Sequence, residues 1–291
     1  MLAANWVLAA RPTTLWAGMS PVVVGTAIAI DDDVFKLDVL LAAFVAALAI
    51  QVGVNFANDV ADASRGADNT DRVGPTRAVA AGLITSRAMW RGVVAAFAVA
   101  GIAGIYLSTV AGPEVLLIGA ASILAALGYT NGPAPYGYRG LGEIFVFLFF
   151  GLVATVGTRY VFDGSAPGRA WLAGAVMGLL ATAILVANNV RDVDTDRASG
   201  KRTLAVMMGQ SASRVLYAVV VAAAFAVVTV GVVSGALRTT AMLALLALPL
   251  AVRPVVTVMT SDQGPALITA LKDTARLQIA VAVLLGVGLI A

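Results

Sequence analysis

NFANDVADASRGADNTDRVGPTR, residues 55–77, follows an almost uninterrupted apolar run from Val39 to Val54. Four aspartates and three arginines crowd the end of what should be a lipid-facing helix. The 291-residue chain is 60% hydrophobic and 12% charged, yet this one stretch holds a quarter of its 16 acids. Either the helix ends in a solvated turn, or the acids face a ligand.

The surrounding chain is that of a polytopic helical membrane protein. Its mean hydropathy is +0.93, and long runs are nearly free of charge. Nine segments are long enough to cross a bilayer: 13–30, 39–57, 92–110, 113–129, 141–161, 170–188, 215–235, 239–259 and 274–291. They use nearly all of residues 1–291, so a single membrane-embedded domain is expected and activity must come from the spans and their loops. Residues 1–10 carry no charged side chain and read as an interfacial helix rather than a secretory signal.

The 19 basic residues are distributed unevenly: with the N-terminus inside, fifteen fall on the cytoplasmic side and Lys36, Arg159, Arg169 and Arg238 on the other. That bias predicts a cytoplasmic N-terminus in a cell membrane. Trp6, Trp16, Trp90 and Trp171 read as interface anchors. Gly101 and Gly104 read as a close helix-packing contact. Asp31, Asp32 and Asp33, without a local basic cluster, read as a solvated outer turn.

An internal repeat decides how to take the opening stretch. Ala-Asn-Asp-Val-Ala-Asp at 57–62 returns as Ala-Asn-Asn-Val-Arg-Asp at 187–192, each copy ending an apolar span and leading into a charged loop. Four spans separate the copies, so both face one compartment. Asn58 and Asp62 are four apart, as are Asn188 and Asp192, and Asp192 and Asp196; each pair shares a helix face. Polar side chains continuing into a membrane helix need a cavity or a partner. Two matched sets therefore point to a site.

The chemistry of that site is bounded by composition. With no His and no Cys, imidazole and thiolate ligands and nucleophile–histidine pairs are excluded. Carboxylate and amide oxygens favour hard cations, Mg2+ above all, which keeps waters and takes one or two carboxylates plus substrate phosphate oxygens. Arg65, Arg72, Arg77, Arg191, Lys201 and Arg202 suit the same diphosphate. A diphosphate head would bind here and an apolar tail would run among the spans. A transporter would also be apolar and carry Asp and Arg, but its acids would lie near the bilayer midplane rather than at span ends.

NDVADASRGADNTDRVGPTR, NNVRDVDTDRASGKRTL and YTNGPAPYGYRGLGE resemble the two aspartate-rich motifs and a connecting loop of the UbiA-type intramembrane prenyltransferases, with the strongest likeness to the 1,4-dihydroxy-2-naphthoate polyprenyltransferases. The resemblance implies a nine-helix, all-α, Mg2+-dependent membrane bundle with a cytoplasmic active site. It implies transfer of a polyprenyl chain from polyprenyl diphosphate to 1,4-dihydroxy-2-naphthoate, with loss of CO2 and diphosphate, in menaquinone biosynthesis. Those two substrates and membrane lipid are the expected partners, and nucleic acid is not; 4-hydroxybenzoate is the alternative acceptor. Carried onto this chain, the metal ligands are Asn58, Asp59, Asp62, Asp68, Asp71, Asn188, Asp192 and Asp196. The diphosphate-binding cations are Arg72, Arg77, Lys201 and Arg202. Gly66 stands where the wider superfamily's N-x-x-x-D-x-x-x-D motif often has its last aspartate, leaving Asp68 or Asp71 to complete the first cluster. Lys201 would also act in catalysis. In the connecting loop, Arg139 would orient the acceptor carboxylate, Glu143 would polarise a hydroxyl and Tyr138 would wall the pocket.

Overall fold

The computed structural model describes residues 2–65 and 76–291, so Asp68, Asp71 and Arg72 lie outside the described residues. Among the described residues the regular structure is helical throughout. A short helix α1 (Leu2–Ala10) precedes α2 (Pro12–Asp31), α3 (Leu37–Ser64), α4 (Ser86–Ala111) and α5 (Glu114–Thr130). The rod from residue 142 to 160 starts as α6 (Gly142–Val146), widens to a π-helical stretch at Phe147–Val153, and resumes as α7 (Ala154–Tyr160). There follow α8 (Gly168–Arg191), the short α9 (Val193–Ala198) and α10 (Leu204–Met208), then α11 (Gln210–Val233), a 3-10 stretch Thr239–Ala247 running into α12 (Leu248–Thr260), and α13 (Gly264–Ile290).

Eight of these helical rods are long and apolar enough to span a membrane. The segment expected at 113–129 is α5, an apolar helix of 17 residues and shorter than the eight. Several spans are longer than expected at the end that bears the motifs, α3 and α13 most of all. α3 continues as helix to Ser64, and α13 begins at Gly264 rather than near residue 274.

Large apolar side chains such as Leu41, Val94, Ile102, Leu117 and Val233 point outward, while the contacts between helices mix small residues with large ones such as Phe162, Leu180 and Tyr217. The outward ones follow from the solvent: lipid tails accept Leu and Val as readily as a core does, and small residues let backbones approach. The most enclosed helix is α8, whose buried face is largely Ala and Gly with Val176, Met177 and Leu180. Gly151 meets Gly178 there, and a methyl group at Gly151 would overlap the Gly178 backbone. Trp6 packs edge-on against Phe56 at 5.3 Å between ring centroids, folding α1 onto α3. Trp16, Trp90 and Trp171 are exposed.

Two sequence expectations change. Gly101 has no neighbour where a Cβ would stand, and Gly104 only Leu116 at 3.9 Å. Both line a cavity instead of a helix contact. At the end of α2, Asp31 and Asp32 are not solvated, while Asp33 is exposed as expected. Arg159 bonds Asp32 at 2.7 Å and Asp163 at 2.6 Å, Arg169 bonds Asp31 at 2.6 Å and also Asp32, and Arg238 reaches Asp31 at 2.8 Å. The bases come from three separate parts of the chain, which is why local charge did not reveal them. The Arg159 side chain is 3% exposed, and removing one partner of a buried ion pair strands the other. Arg159→Met is therefore expected to lower stability by about 3 kcal/mol. Unfolding midpoints in detergent test this; an unchanged midpoint would mean the network adds nothing.

Candidate active site

The last turns of α3 present Asn55, Asn58 and Asp62 to the bundle interior, because positions three and four apart stack on one helix face. Asn55 donates to Ala10 O at 2.8 Å and to Thr14 Oγ1 at 3.2 Å, tying α3 to the start of α2. Asn58 Oδ1 accepts from the Thr130 hydroxyl at 2.7 Å. Asp62 is the hub: its Oδ1 accepts from Tyr138 at 2.6 Å and Lys201 at 3.3 Å, and its Oδ2 from Arg77 at 3.2 Å.

Asp59 has a different environment. It is 1% exposed, and its two oxygens accept the backbone N–H groups of Ala78 and Val79 at 3.0 and 3.1 Å. It is not on the cavity wall, and it anchors the segment that returns toward α4.

The second arm forms where α8 ends at Arg191 and Asp192 turns the chain into α9. Arg191 clamps this arm, donating to Asp192 at 2.7 and 2.5 Å and to Asn188 at 2.8 Å. Asp196 follows one turn later. Gly200, at φ +76°, makes the left-handed turn that brings Lys201 back over the site. The Lys201 N–H then donates to Asp196 O at 2.9 Å, and its ammonium lies 3.8 Å from Asp196 Oδ1.

Lys201 thus holds carboxylates of both arms, Asp62 and Asp196, within reach of one ammonium. It also lies 4.7 Å from the centre of the Tyr138 ring, and Arg65 lies 5.1 Å from the same centre. Burial first, and the neighbouring Asp62 second, push the Tyr138 phenol above its ordinary pKa. Tyr138 therefore stays protonated at neutral pH as a donor to Asp62.

Both arms open into one cavity of about 1080 Å³. Its motif end is lined by Asn58, Asp62, Arg77, Tyr138, Asn188, Asp192, Asp196 and Lys201, all expected at the site. Away from them the wall becomes apolar, through Ile50, Phe149 and Leu185 to Val22, Leu107 and Val161. Asn189, Arg11 and Lys272 also line it, and sequence reading did not single them out. The signal for Lys272 was a charged cluster, Lys272, Asp273 and Arg276, inside what proves to be helix α13.

Besides Asp59, three expected residues lie elsewhere. Arg139 and Arg202 are exposed and line a second pocket of about 670 Å³ on the far side of Tyr138. Glu143 is buried behind the wall, accepting from the Asn189 amide at 2.9 Å on Oε1, while its Oε2 has no hydrogen-bond partner among the described residues.

The donor set fits Mg2+. Its oxygens come from two Asn/Asp arms, and among the described residues no group of three or more acidic ligands forms a ready-made cage. Mg2+ needs only one or two carboxylates when phosphate oxygens complete its shell. Arg77, Arg191 and Lys201 meanwhile balance the facing carboxylates.

A model described as the UbiA prenyltransferase family matches residues 18–289. A Mycobacterium tuberculosis protein named 1,4-dihydroxy-2-naphthoate octaprenyltransferase is 40% identical, over 93% of this chain and 91% of its own length. An Escherichia coli protein of the same name is 38% identical, over 72% and 70%. Among solved structures, the apo form of a UbiA homologue from Aeropyrum pernix superposes with a TM-score of 0.71 at 20% identity, covering 96% of this chain and 98% of that one. A UbiA homologue from Archaeoglobus fulgidus bound to DMAPP and Mg2+ gives 0.68 at 13%, covering 97% and 99%.

Proposed function

The chain belongs to the UbiA prenyltransferase family, and from that premise we propose that it transfers a polyprenyl chain from polyprenyl diphosphate to 1,4-dihydroxy-2-naphthoate, releasing CO2 and diphosphate in menaquinone biosynthesis. The observation that carries this reading is one cavity with two oxygen-bearing arms and their cations at one end and apolar walls beyond. A head of concentrated negative charge and a long hydrocarbon tail fit its two halves.

Asn58 and Asp62 on one arm and Asn188, Asp192 and Asp196 on the other would hold Mg2+, which would supply Lewis acidity to the departing diphosphate. Arg77 and Lys201 bind that group and stabilise charge as it builds there. The allylic C1–O bond breaks and C1 bonds the ring carbon that bears the carboxylate. The C–C bond to the carboxylate then breaks, its electron pair restores the aromatic ring, and CO2 leaves. No ring proton has to be removed. Glu143 reaches the cavity only through Asn189, so its part is to orient that amide toward an acceptor hydroxyl. Asp59 and Arg202 support the loops around the site in this reading, and Arg139 has no contact with the acceptor.

The test is purified protein in lipid nanodiscs with Mg2+, a polyprenyl diphosphate and a panel of aromatic acceptors. Diphosphate release and a prenylated, decarboxylated naphthalenediol are expected with 1,4-dihydroxy-2-naphthoate. Turnover with 4-hydroxybenzoate alone would refute the acceptor.

We place the motif end in the cytoplasm of a cell-membrane protein, from the sidedness of the basic residues. The native chain has no cysteine, so single introduced cysteines report cleanly. Ser199→Cys should be modified by an impermeant maleimide only in inverted vesicles, and Ser165→Cys only in intact cells with the outer barrier opened. The reverse pattern would overturn the orientation.

A further inference from the structure

Five cations among the described residues line the cavity: Arg11, Arg77, Arg191, Lys201 and Lys272. Arg77, Arg191 and Lys201 are ion-paired to the carboxylates of the two arms. Lys272 differs in two respects. It projects from α13, a wall that carries none of the oxygen ligands, and it makes no ion pair or hydrogen bond among the described residues. The acid beside it cannot neutralise it, since buried Asp273 is held by Arg276 at 2.9 Å and Arg253 at 3.5 Å.

Its depth follows from its neighbours. α2 and α13 lie side by side, with Ala27 3.4 Å and Val23 4.0 Å from a Cβ at Gly286. Gly286 lies fourteen residues beyond Lys272, so counting back fourteen from Ala27 and Val23 brings Lys272 level with residues 9–13, around Ala10, whose carbonyl accepts from Asn55 at 2.8 Å. Lys272 therefore stands near the level of Asn55, on the cavity wall at the motif end, and it is exposed. An ammonium on this wall with no ion pair among the described residues can face an anionic ligand. The diphosphate, held at the arms, already has three cations.

We propose that Lys272 binds the carboxylate of the aromatic acceptor. The assignment rests on the prenyl-transfer reading above and gives its acceptor a cation on the cavity wall, which Arg139 does not supply from beyond Tyr138. Ile268 and Leu271, on the same wall, offer an apolar face to the ring. Lysine suits a carboxylate that must later be lost, because its ammonium is a compact charge with no bidentate lock on the anion. When the ring–carboxylate bond breaks and CO2 departs, the anion facing Lys272 disappears. The attraction therefore belongs to substrate and not to product, which favours product release.

Such an interaction is made before the transition state, so its loss should appear in acceptor affinity. Lys272→Met is expected to raise the acceptor KM by about ten- to a hundredfold, with kcat and the prenyl diphosphate KM within about twofold. Lys272→Arg should recover most of the affinity. Equilibrium titration with 1,4-dihydroxy-2-naphthoate in nanodiscs should show the same loss without turnover, whereas 1,4-naphthalenediol, lacking the carboxylate, should bind wild type and Lys272→Met alike. An unchanged acceptor KM, or a rise confined to the prenyl diphosphate, overturns the assignment while wild-type turnover of the naphthoate keeps the wider reading. If wild type instead uses another aromatic carboxylate, the naphthoate reading fails and the titration is repeated with that acid. Loss of its affinity in Lys272→Met supports the lysine, and equal affinity removes it.

Discussion

Alanine at Asp62, Asp192 or Asp196 is expected to lower turnover by on the order of a hundredfold or more in each case, while the protein stays folded. Each carboxylate lines the cavity, so its loss removes a ligand for metal and diphosphate without opening the packed bundle. Asp62→Asn separates charge from shape. The amide can still accept from Tyr138 but cannot neutralise Mg2+, Arg77 or Lys201, so it should fall nearly as far as alanine. Wild-type enzyme in excess EDTA should lose activity to the same extent and regain it with added Mg2+, whereas the variants should not. Full activity in EDTA would exclude an essential metal, and full activity of one alanine variant would remove that residue from the ligand set.

The helical class and the two arms were legible because two periodicities coincide in the chain. Apolar runs of bilayer length announce spans, and a four-residue spacing of Asn and Asp at their ends places both side chains on one face. The same geometry should have set Asp59 apart. One residue beyond Asn58 is about 100° around the helix, and the structure turns Asp59 to the backbone of Ala78 and Val79. Arg139 is a similar case. It follows Tyr138 in a 3-10 turn, where neighbouring side chains diverge by about 120°. Tyr138 consequently faces both pockets, and Arg139 only the outer one.

Other features were not readable from local sequence. The outer network joins Asp31 and Asp32 to bases at positions 159, 169 and 238, and only the tertiary fold shows that these meet. Gly101 and Gly104 look like a packing motif, but the same absence of side chains also makes room for a ligand. Lys272 fell just before the expected last span because its charge interrupts the apolar run. The helix begins eight residues before it, at Gly264, and Lys272 lines the cavity while remaining exposed.

Lys201→Ala is expected to reduce kcat by about a hundredfold and to raise the prenyl diphosphate KM as well, leaving the acceptor KM within about twofold. The ammonium lies between Asp62 at 3.3 Å and Asp196 at 3.8 Å, and over the Tyr138 ring. With substrate present it is placed to contact the diphosphate from between the two arms. Charge flows onto that group as the allylic bond breaks, so the attraction grows toward the transition state and its loss must appear in kcat. Lys272 meets an anion whose charge is present from the outset, so the two lysines should separate kinetically. Lys201→Arg keeps the charge but exchanges a point donor for a planar fork, and should recover only part of the rate. Single-turnover measurement with saturating substrates isolates the chemical step. An effect of Lys201→Ala on the acceptor KM alone would move this lysine to the other substrate and leave the departing diphosphate to Arg77 and the metal.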